Sequence, residues 1–201
     1  MVDKIKVVML GDQGAGKTSL VMRYVYDNFY NDYQGTIGID FLSVNHTAQG
    51  RTDRVQIWDT AGQERFRSLI PSYVRDSRLA LVIFDVCCEK SFENAQWWID
   101  MVKRERNIDN IVVGLIGNKI DKEDCRVVSS SDAREMAKTN SVFYRETSAK
   151  TGHKVKGVFT DAIGMYLEKN GGGDYVESSL VEIQLDKGEK GGSAASCCVI
   201  L

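Results

Sequence analysis

The stretch GDQGAGKT, residues 11–18, decides how this chain is read. It fits G-x-x-x-x-G-K-[ST]. It stands between an apolar β-type run, KIKVVML (4–10), and a segment of helical pattern, 16–28. Strand, glycine-rich loop and helix in that order make a phosphate cradle. The glycines let backbone N–H groups turn toward phosphate oxygens, and the helix N-terminus adds positive potential. Gln13, Gly14, Ala15, Gly16, Lys17, Thr18 and Ser19 are therefore candidate nucleotide contacts. Lys17 has the length to reach β- and γ-phosphates, and the Thr18 hydroxyl suits Mg2+. The loop alone does not choose a base, so an ATPase or a small-molecule kinase is still open here.

Working outward, short apolar runs alternate with longer amphipathic ones. IDFLSVNHTA and RVQIWD flank QGRTD and predict a hairpin. LALVIFDV (79–86) and IVVGLIGN (111–118) are continuously apolar, as central strands covered on both faces are. Between them, Phe92, Ala95, Ile99 and Val102 share one face of a helix over 91–106. SSSDAREMAKTN opens with capping residues and predicts another helix, VFYRET a last strand, and 153–169 a last helix. The expectation is an α/β fold, a mostly parallel six-stranded sheet with helices on both faces, over residues 1–170. From Gly171 the composition turns glycine- and serine-rich, and 171–201 is expected to be a flexible tail.

The chain has 201 residues and a net charge of −2, so bulk nucleic-acid binding is not expected. Its 5 cysteines are odd in number and scattered, which fits a reducing setting better than a disulfide framework. No run approaches the roughly 20 apolar residues of a membrane span, and MVDKIKVVML lacks the apolar core of a secretory leader.

The base is chosen by NKID at 118–121, directly after a predicted strand. Open α/β sheets bind ligands at the carboxyl ends of their strands, which brings Asn118, Lys119 and Asp121 to the phosphate loop. An aspartate there accepts two hydrogen bonds, from the N1–H and 2-amino group of guanine, and adenine has neither donor. Discrimination of roughly 10⁴-fold follows when a buried polar group is left unpaired. TSAK (147–150) supplies a third loop on the base side, with Ser148 and Lys150, although alone it reads as a helix-capping turn. WDTAGQERF (58–66) ends another strand. There Asp59 takes the place of a second Mg2+-associated carboxylate, Gly62 can offer an N–H to a γ-phosphate, and Gln63 can orient water.

This ordered set, GDQGAGKT, Thr36, DTAGQ, NKID and SAK, resembles the Ras superfamily of small GTPases over about residues 4–170. Within it, IGIDF (37–41), QERFRSL (63–69) and YVRDS (73–77) resemble Rab proteins, most closely their Golgi-associated branch, which tends to have glutamine where Gln13 stands. The resemblance implies a P-loop GTPase fold and a switch that binds and hydrolyses GTP. In it Lys17 and Gln63 are catalytic, and Mg2+ is held by Thr18, Thr36 and Asp59. Phe29 stacks on guanine and the Ala149 N–H contacts it. Ile37, Gly38, Phe41, Trp58 and Tyr73 meet effectors, the last three as an aromatic triad. Sheet packing competes as an explanation for Phe41 and Trp58. Trp97 and Trp98 read as a helix straddling core and surface, and His46 and His153 carry no assigned role.

The implied partners are an exchange factor, a GTPase-activating protein, effectors, a Rab escort protein and a GDP-dissociation inhibitor. No arginine is placed as an internal finger, so slow intrinsic turnover is expected, and the bulk of Gln13 bears on how an external finger enters. A monomer is expected, on the cytoplasmic face of Golgi membranes with an extracted cytosolic pool. A Ras- or Rho-type signalling GTPase and a non-hydrolysing binding module are the alternatives.

The ending CVIL (198–201) reads as C-a-a-X, with leucine favouring geranylgeranyl. Acidic residues outnumber lysines in the tail, and one lipid chain anchors only marginally. Prenyl groups on both Cys197 and Cys198 are therefore expected. Golgi-type relatives more often end in Cys-x-Cys, so the route of modification is open. VEIQL (181–185) resembles the tail motif that escort and extraction proteins hold.

Overall fold

A computed structural model of the chain describes residues 4–30, 36, 38–48, 50–62, 68–106, 110–170 and 181–185. Strand β1 (Lys4–Leu10) lies between β3 (Arg51–Thr60) and β4 (Leu79–Asp85), parallel to both. The parallel series continues through β5 (Val112–Asn118) to β6 (Phe143–Glu146). On the other side β2 (Ile39–Ala48) joins β3 antiparallel, and β7 (Val181–Leu185) pairs antiparallel with β2. The sheet order is β6-β5-β4-β1-β3-β2-β7.

Helices cover both faces. Helices α1 (Lys17–Tyr26) and α5 (Val155–Lys169) bury Leu20, Val21, Tyr24, Phe159 and Ile163 against one set of sheet residues, including Val7, Met9, Leu81 and Ile83. Helices α2 (Ile70–Arg75), α3 (Glu89–Glu105) and α4 (Ser130–Asn140) bury Val74, Trp98, Val102 and Ala137 against the other, including Val8, Leu10 and Val82. Strand β4 is buried on both faces from Leu79 to Phe84, so its continuous apolar run is explained. The predicted face of α3 is correct: Ala95, Ile99 and Val102 are buried and Phe92 packs beside them. Ser129 caps α4, accepting from the Asp132 N–H at 3.1 Å.

The fold class is as expected, with two differences. The hairpin turn is shorter than QGRTD, because Arg51, Thr52 and Asp53 already pair with Ala48, Thr47 and His46. Polar residues extend the strand here because they satisfy one another: the Thr47 and Thr52 hydroxyls lie 2.9 Å apart and Arg51 Nε donates to Asp53. The sheet also has seven strands instead of six, because VEIQL in the presumed flexible tail forms β7. Cys197 and Cys198 lie outside the described residues, as do Ile37 and Gln63. Among the described residues no helix is long and apolar enough to cross a membrane.

A half-buried carboxylate and a buried imidazole make the fold testable. Glu146, at the end of β6, accepts from Arg126 Nη1 and Nη2 (2.9 and 3.2 Å), the Ser130 hydroxyl (2.8 Å) and the Tyr144 hydroxyl (2.7 Å). Burial works to raise its carboxyl, but the bonds from Arg126, Tyr144 and Ser130 outweigh that and hold it below the ordinary carboxylate range. Glu146→Gln should lower stability by about 1–3 kcal/mol, since charge-assisted bonds become neutral ones or are lost. An unchanged urea midpoint would show that the cluster is decorative.

His46 on β2 is buried, with Nδ1 at 2.9 Å from the Tyr24 hydroxyl and Nε2 buried without a partner. Desolvation lowers its pKa from 6.5 to about 4. An unfolded imidazole takes up its proton first as pH falls. The stability tied to the neutral ring is therefore complete above pH 6.5 and declines toward pH 4, by up to about 3 kcal/mol. His46→Gln should flatten this acid limb, read as the difference between variant and native urea midpoints across pH 7 to 4.

Candidate functional site

All five parallel strands end at the same edge of the sheet, and the loops that follow four of them converge there. Between β1 and α1 the chain turns through left-handed backbone at Gly14 (φ 80°) and Gly16 (φ 97°). Gly16 caps α1 with no side-chain bond, so the first N–H groups of that helix keep their capacity for an anion. A side chain on Gly16 would run into the Asn118 amide, so the position needs glycine on two counts.

Lys17 is 5% exposed, and its Nζ donates to the Gly11 and Asp12 carbonyls at 2.8 and 2.9 Å. Desolvation lowers its pKa from 10.5 to about 8, against the opposing pull of Asp59 and Asp12. The ammonium is thus folded back on the loop, poised over the space the glycines line.

Thr18, Thr36 and Asp59 come from three separate segments and meet. The Thr18 hydroxyl donates to Asp59 Oδ2 at 2.5 Å and lies 2.6 Å from the Thr36 hydroxyl. Asp59 Oδ1 is buried with no hydrogen-bond partner. Burial raises the Asp59 pKa from 3.8 to about 6, partly offset by Thr18 and Lys17. Two hydroxyls around a desolvated carboxylate with an orphaned oxygen form a hard, all-oxygen donor set, and a magnesium ion fits it.

On the base side, Asn118 ties three loops together. Its Nδ2 donates to the Ala15 carbonyl at 2.9 Å, and its Oδ1 accepts from the Ala149 N–H at 3.2 Å and sits 3.5 Å from the Thr147 hydroxyl. Asp121 Oδ1 accepts from the Ser148 hydroxyl at 2.6 Å, which aims the carboxylate while leaving acceptor capacity for a base. Lys119, held at φ 71°, pairs with Asp85 Oδ2 at 2.7 Å. Lys150 is exposed at the rim, and Arg23 donates to the carbonyls of Ala149 and Lys150 at 2.9 and 2.8 Å. Phe29 is half-buried against the α1/α5 core.

After β3, Gly62 packs so closely on the Asp12–Gln13 peptide that any side chain there would collide with it. Gln13 itself is exposed at the mouth of the loop. Beside the site, Phe41, Trp58 and Tyr73 form one aromatic row, with centroids 4.8 and 5.0 Å apart. Sheet packing accounts for part of it, since Trp58 and Tyr73 rest on the α2/α3 core, but Phe41 is 44% exposed. Gly38 lies at the start of this strip, and its carbonyl accepts from the Ala61 N–H at 2.8 Å.

Sequence reasoning missed the grip on Asp12. Its carboxylate accepts from Asn94 Nδ2 at 2.6 Å and from Trp98 Nε1 at 3.0 Å, so α3 holds the phosphate loop from outside. Asp12 occupies a free position of the motif, and no spacing rule points to partners on α3. The buried member of the tryptophan pair, Trp98, is thus part of the site's support. The Ras family model matches residues 6–168.

Proposed function

The chain belongs to the Ras family, and from that premise we propose that it is a Rab-type switch that binds and hydrolyses GTP and regulates vesicle traffic at the Golgi. Ras-family proteins bind GTP or GDP with Mg2+ and are generally GTPases. The observation that carries the reading for this chain is the meeting of Thr18, Thr36 and Asp59 below Lys17.

Asp121 and Asn118 hold the guanine edge, with Ser148 keeping the Asp121 carboxylate aimed. Lys17 leaves the Gly11 and Asp12 carbonyls for β- and γ-phosphate oxygens, exchanging neutral acceptors for charged ones. Thr18, Thr36 and Asp59 hold the magnesium ion, which neutralises phosphate charge when bound. Gln63 orients the attacking water, and the loop N–H groups take up charge developing on the phosphoryl oxygens. Among the described residues, Arg23, Arg75, Arg126 and Arg145 are committed to other partners, which supports slow intrinsic hydrolysis and a finger supplied by an activating protein.

Switching follows from chain continuity. Thr36 precedes β2, and Gly62 follows β3 against the phosphate loop. Loss of the γ-phosphate therefore loosens both at once, beside the Phe41–Trp58–Tyr73 row that effectors would read. The segments 37–41, 63–69 and 73–77 support a Rab-type reading over a Ras- or Rho-type one. Prenylation of Cys197 and Cys198 would hold the switch at the membrane, with an escort protein and a GDP-dissociation inhibitor handling the lipids.

A single-turnover assay with GTP, and ATP as control, tests the chemistry. Slow GTP turnover that is lost in Gln63→Leu is expected, and equal ATP turnover would sink the reading. Localisation of the tagged protein, with Gln63→Leu and Thr18→Asn beside the native chain, tests the traffic. Golgi enrichment and binding to a Rab escort protein are expected, and binding to neither membrane nor escort would reject the Rab assignment.

A further inference from the structure

Strand β7 is formed by a segment that follows the last helix by eleven residues, and it sits on the outer edge of β2. The register is regular, from Val44 opposite Leu185 to Ala48 opposite Val181. Ile183 lies opposite His46 and packs into the α1/α5 core cluster, while Gln184 faces solvent. The sequence alternates apolar and polar, V-E-I-Q-L, as a half-buried strand does. The outer edge of β2 would otherwise present unpaired N–H and C=O groups, which are a template for strand addition. Over Ile39–Ser43 it pairs with β3 alone among the described strands.

We propose that the outer edge of β2 is a peptide-docking site occupied by the chain's own residues 181–185, and that this pairing is a reversible latch on the tail. The latch goes beyond the switch reading and does not depend on nucleotide chemistry. Three features favour reversibility. The strand is five residues long, so few backbone bonds oppose the entropy of ordering it. One described side chain, Ile183, packs into the core. The preceding NGGGDYVESSL, residues 170–180, is a glycine-rich connection that keeps the segment tethered near the edge when it lets go, so release and return are both allowed.

The consequence concerns what the tail offers. While docked, residues 181–185 have their backbone groups and Ile183 engaged by β2. A protein that grips this segment as an extended apolar peptide must first take it from the sheet. The strand also runs antiparallel to β2, from Ala48 toward Val44, so the chain leaves it heading for the Phe41 end of the strand. Docking therefore fixes the departure point of the tail at Leu185, opposite Val44 on β2, instead of at the end of α5.

The test uses the full chain, native and with Ile183→Asp or Gln184→Pro. The first puts a charge into the apolar contact, and the second removes a backbone N–H while leaving Ile183 in place. The probe is a fluorescent peptide of residues 178–188, SSLVEIQLDKG. Both variants should vacate the edge and bind the peptide, at least about tenfold more tightly than the native chain, whose own segment competes at the high effective concentration of a linked ligand. Hydrogen exchange in the native chain should show protected amides at 181–185 and at 44–48. Both variants should lose this protection at 181–185 and at the alternate β2 amides that face β7, while the β2 amides bonded to β3, β3 itself and the thermal melt are retained. Peptide binding to none of the three proteins, equal binding to all of them, or exchange at 181–185 as fast as in the free peptide would each overturn the latch.

Discussion

Asp121→Asn should invert the base preference of this chain, from guanine to xanthine nucleotides. The Asp121 carboxylate receives the Ser148 hydroxyl at 2.6 Å and faces the place a base would take at the end of β5. Guanine offers two donors in parallel, N1–H and the 2-amino group, and a carboxylate accepts both. An asparagine has one acceptor and one donor, so its amide N–H would meet the 2-amino N–H head on. Xanthine carries an oxygen at position 2, and the same amide then finds an acceptor. A lost charge-assisted bond and an unpaired donor against guanine, with a restored pair for xanthine, amount to a swing of roughly 10⁴-fold in relative affinity. Competition of GDP and XDP for the variant measures it directly. A variant that still prefers GDP by more than about tenfold would show that the base is held elsewhere. The native fold should survive, because Asn keeps the oxygen that Ser148 needs.

The parts of this protein that were legible in its sequence are those written in local pattern. GDQGAGKT was readable because a phosphate cradle needs glycine where the backbone turns left-handed, as it does at Gly14 and Gly16. LALVIFDV and IVVGLIGN were readable because a strand covered on both faces has no polar side to show. NKID could be placed because it directly follows such a strand, TSAK only because it follows the last predicted strand in a chain with the other motifs, and the Asn118 bridge to Ala15 and Ala149 is what that placement meant in atoms. The features that stayed hidden depend on partners far along the chain. Asp12 is gripped by Asn94 and Trp98, 82 and 86 residues away, and nothing near Asp12 announces it. Helix α2 has 6 residues, too few for a helical period to emerge. Strand β7 lies in a glycine- and serine-rich tail, and its alternation becomes meaningful only once β2 presents an open edge. Helix α5 ends at Lys169, just before the composition changes at Gly171, and that composition conceals five residues that pair with β2.

Lys17→Met should separate binding from stability. The Lys17 ammonium is buried on the carbonyls of Gly11 and Asp12, and desolvation lowers its pKa from 10.5 to about 8. At pH 7 it is still charged, so the folded chain holds an ammonium in a place that disfavours it. The shift corresponds to a penalty of about 3 kcal/mol against a solvated lysine. Methionine fills similar space without the charge and relieves that penalty. Part of the relief is lost again, because Asp59 gives up a favourable neighbour and its own pKa already stands raised, at about 6. The nucleotide-free domain should therefore be unchanged or more stable, by up to about 2 kcal/mol. Phosphate binding should suffer heavily. One charge-assisted bond to a β-phosphate oxygen, and in GTP a second to the γ-phosphate, at about 1.5–3 kcal/mol each, translate into a loss of roughly 10–10² in affinity for GDP and roughly 10²–10⁴ for GTP. Urea unfolding of the nucleotide-free protein and titration with a fluorescent GDP read the two effects separately. If the variant were destabilised by more than about 2 kcal/mol, the bonds to Gly11 and Asp12 would be structural props of the loop. The observed geometry instead favours a lysine kept under desolvation strain because the phosphates need it there.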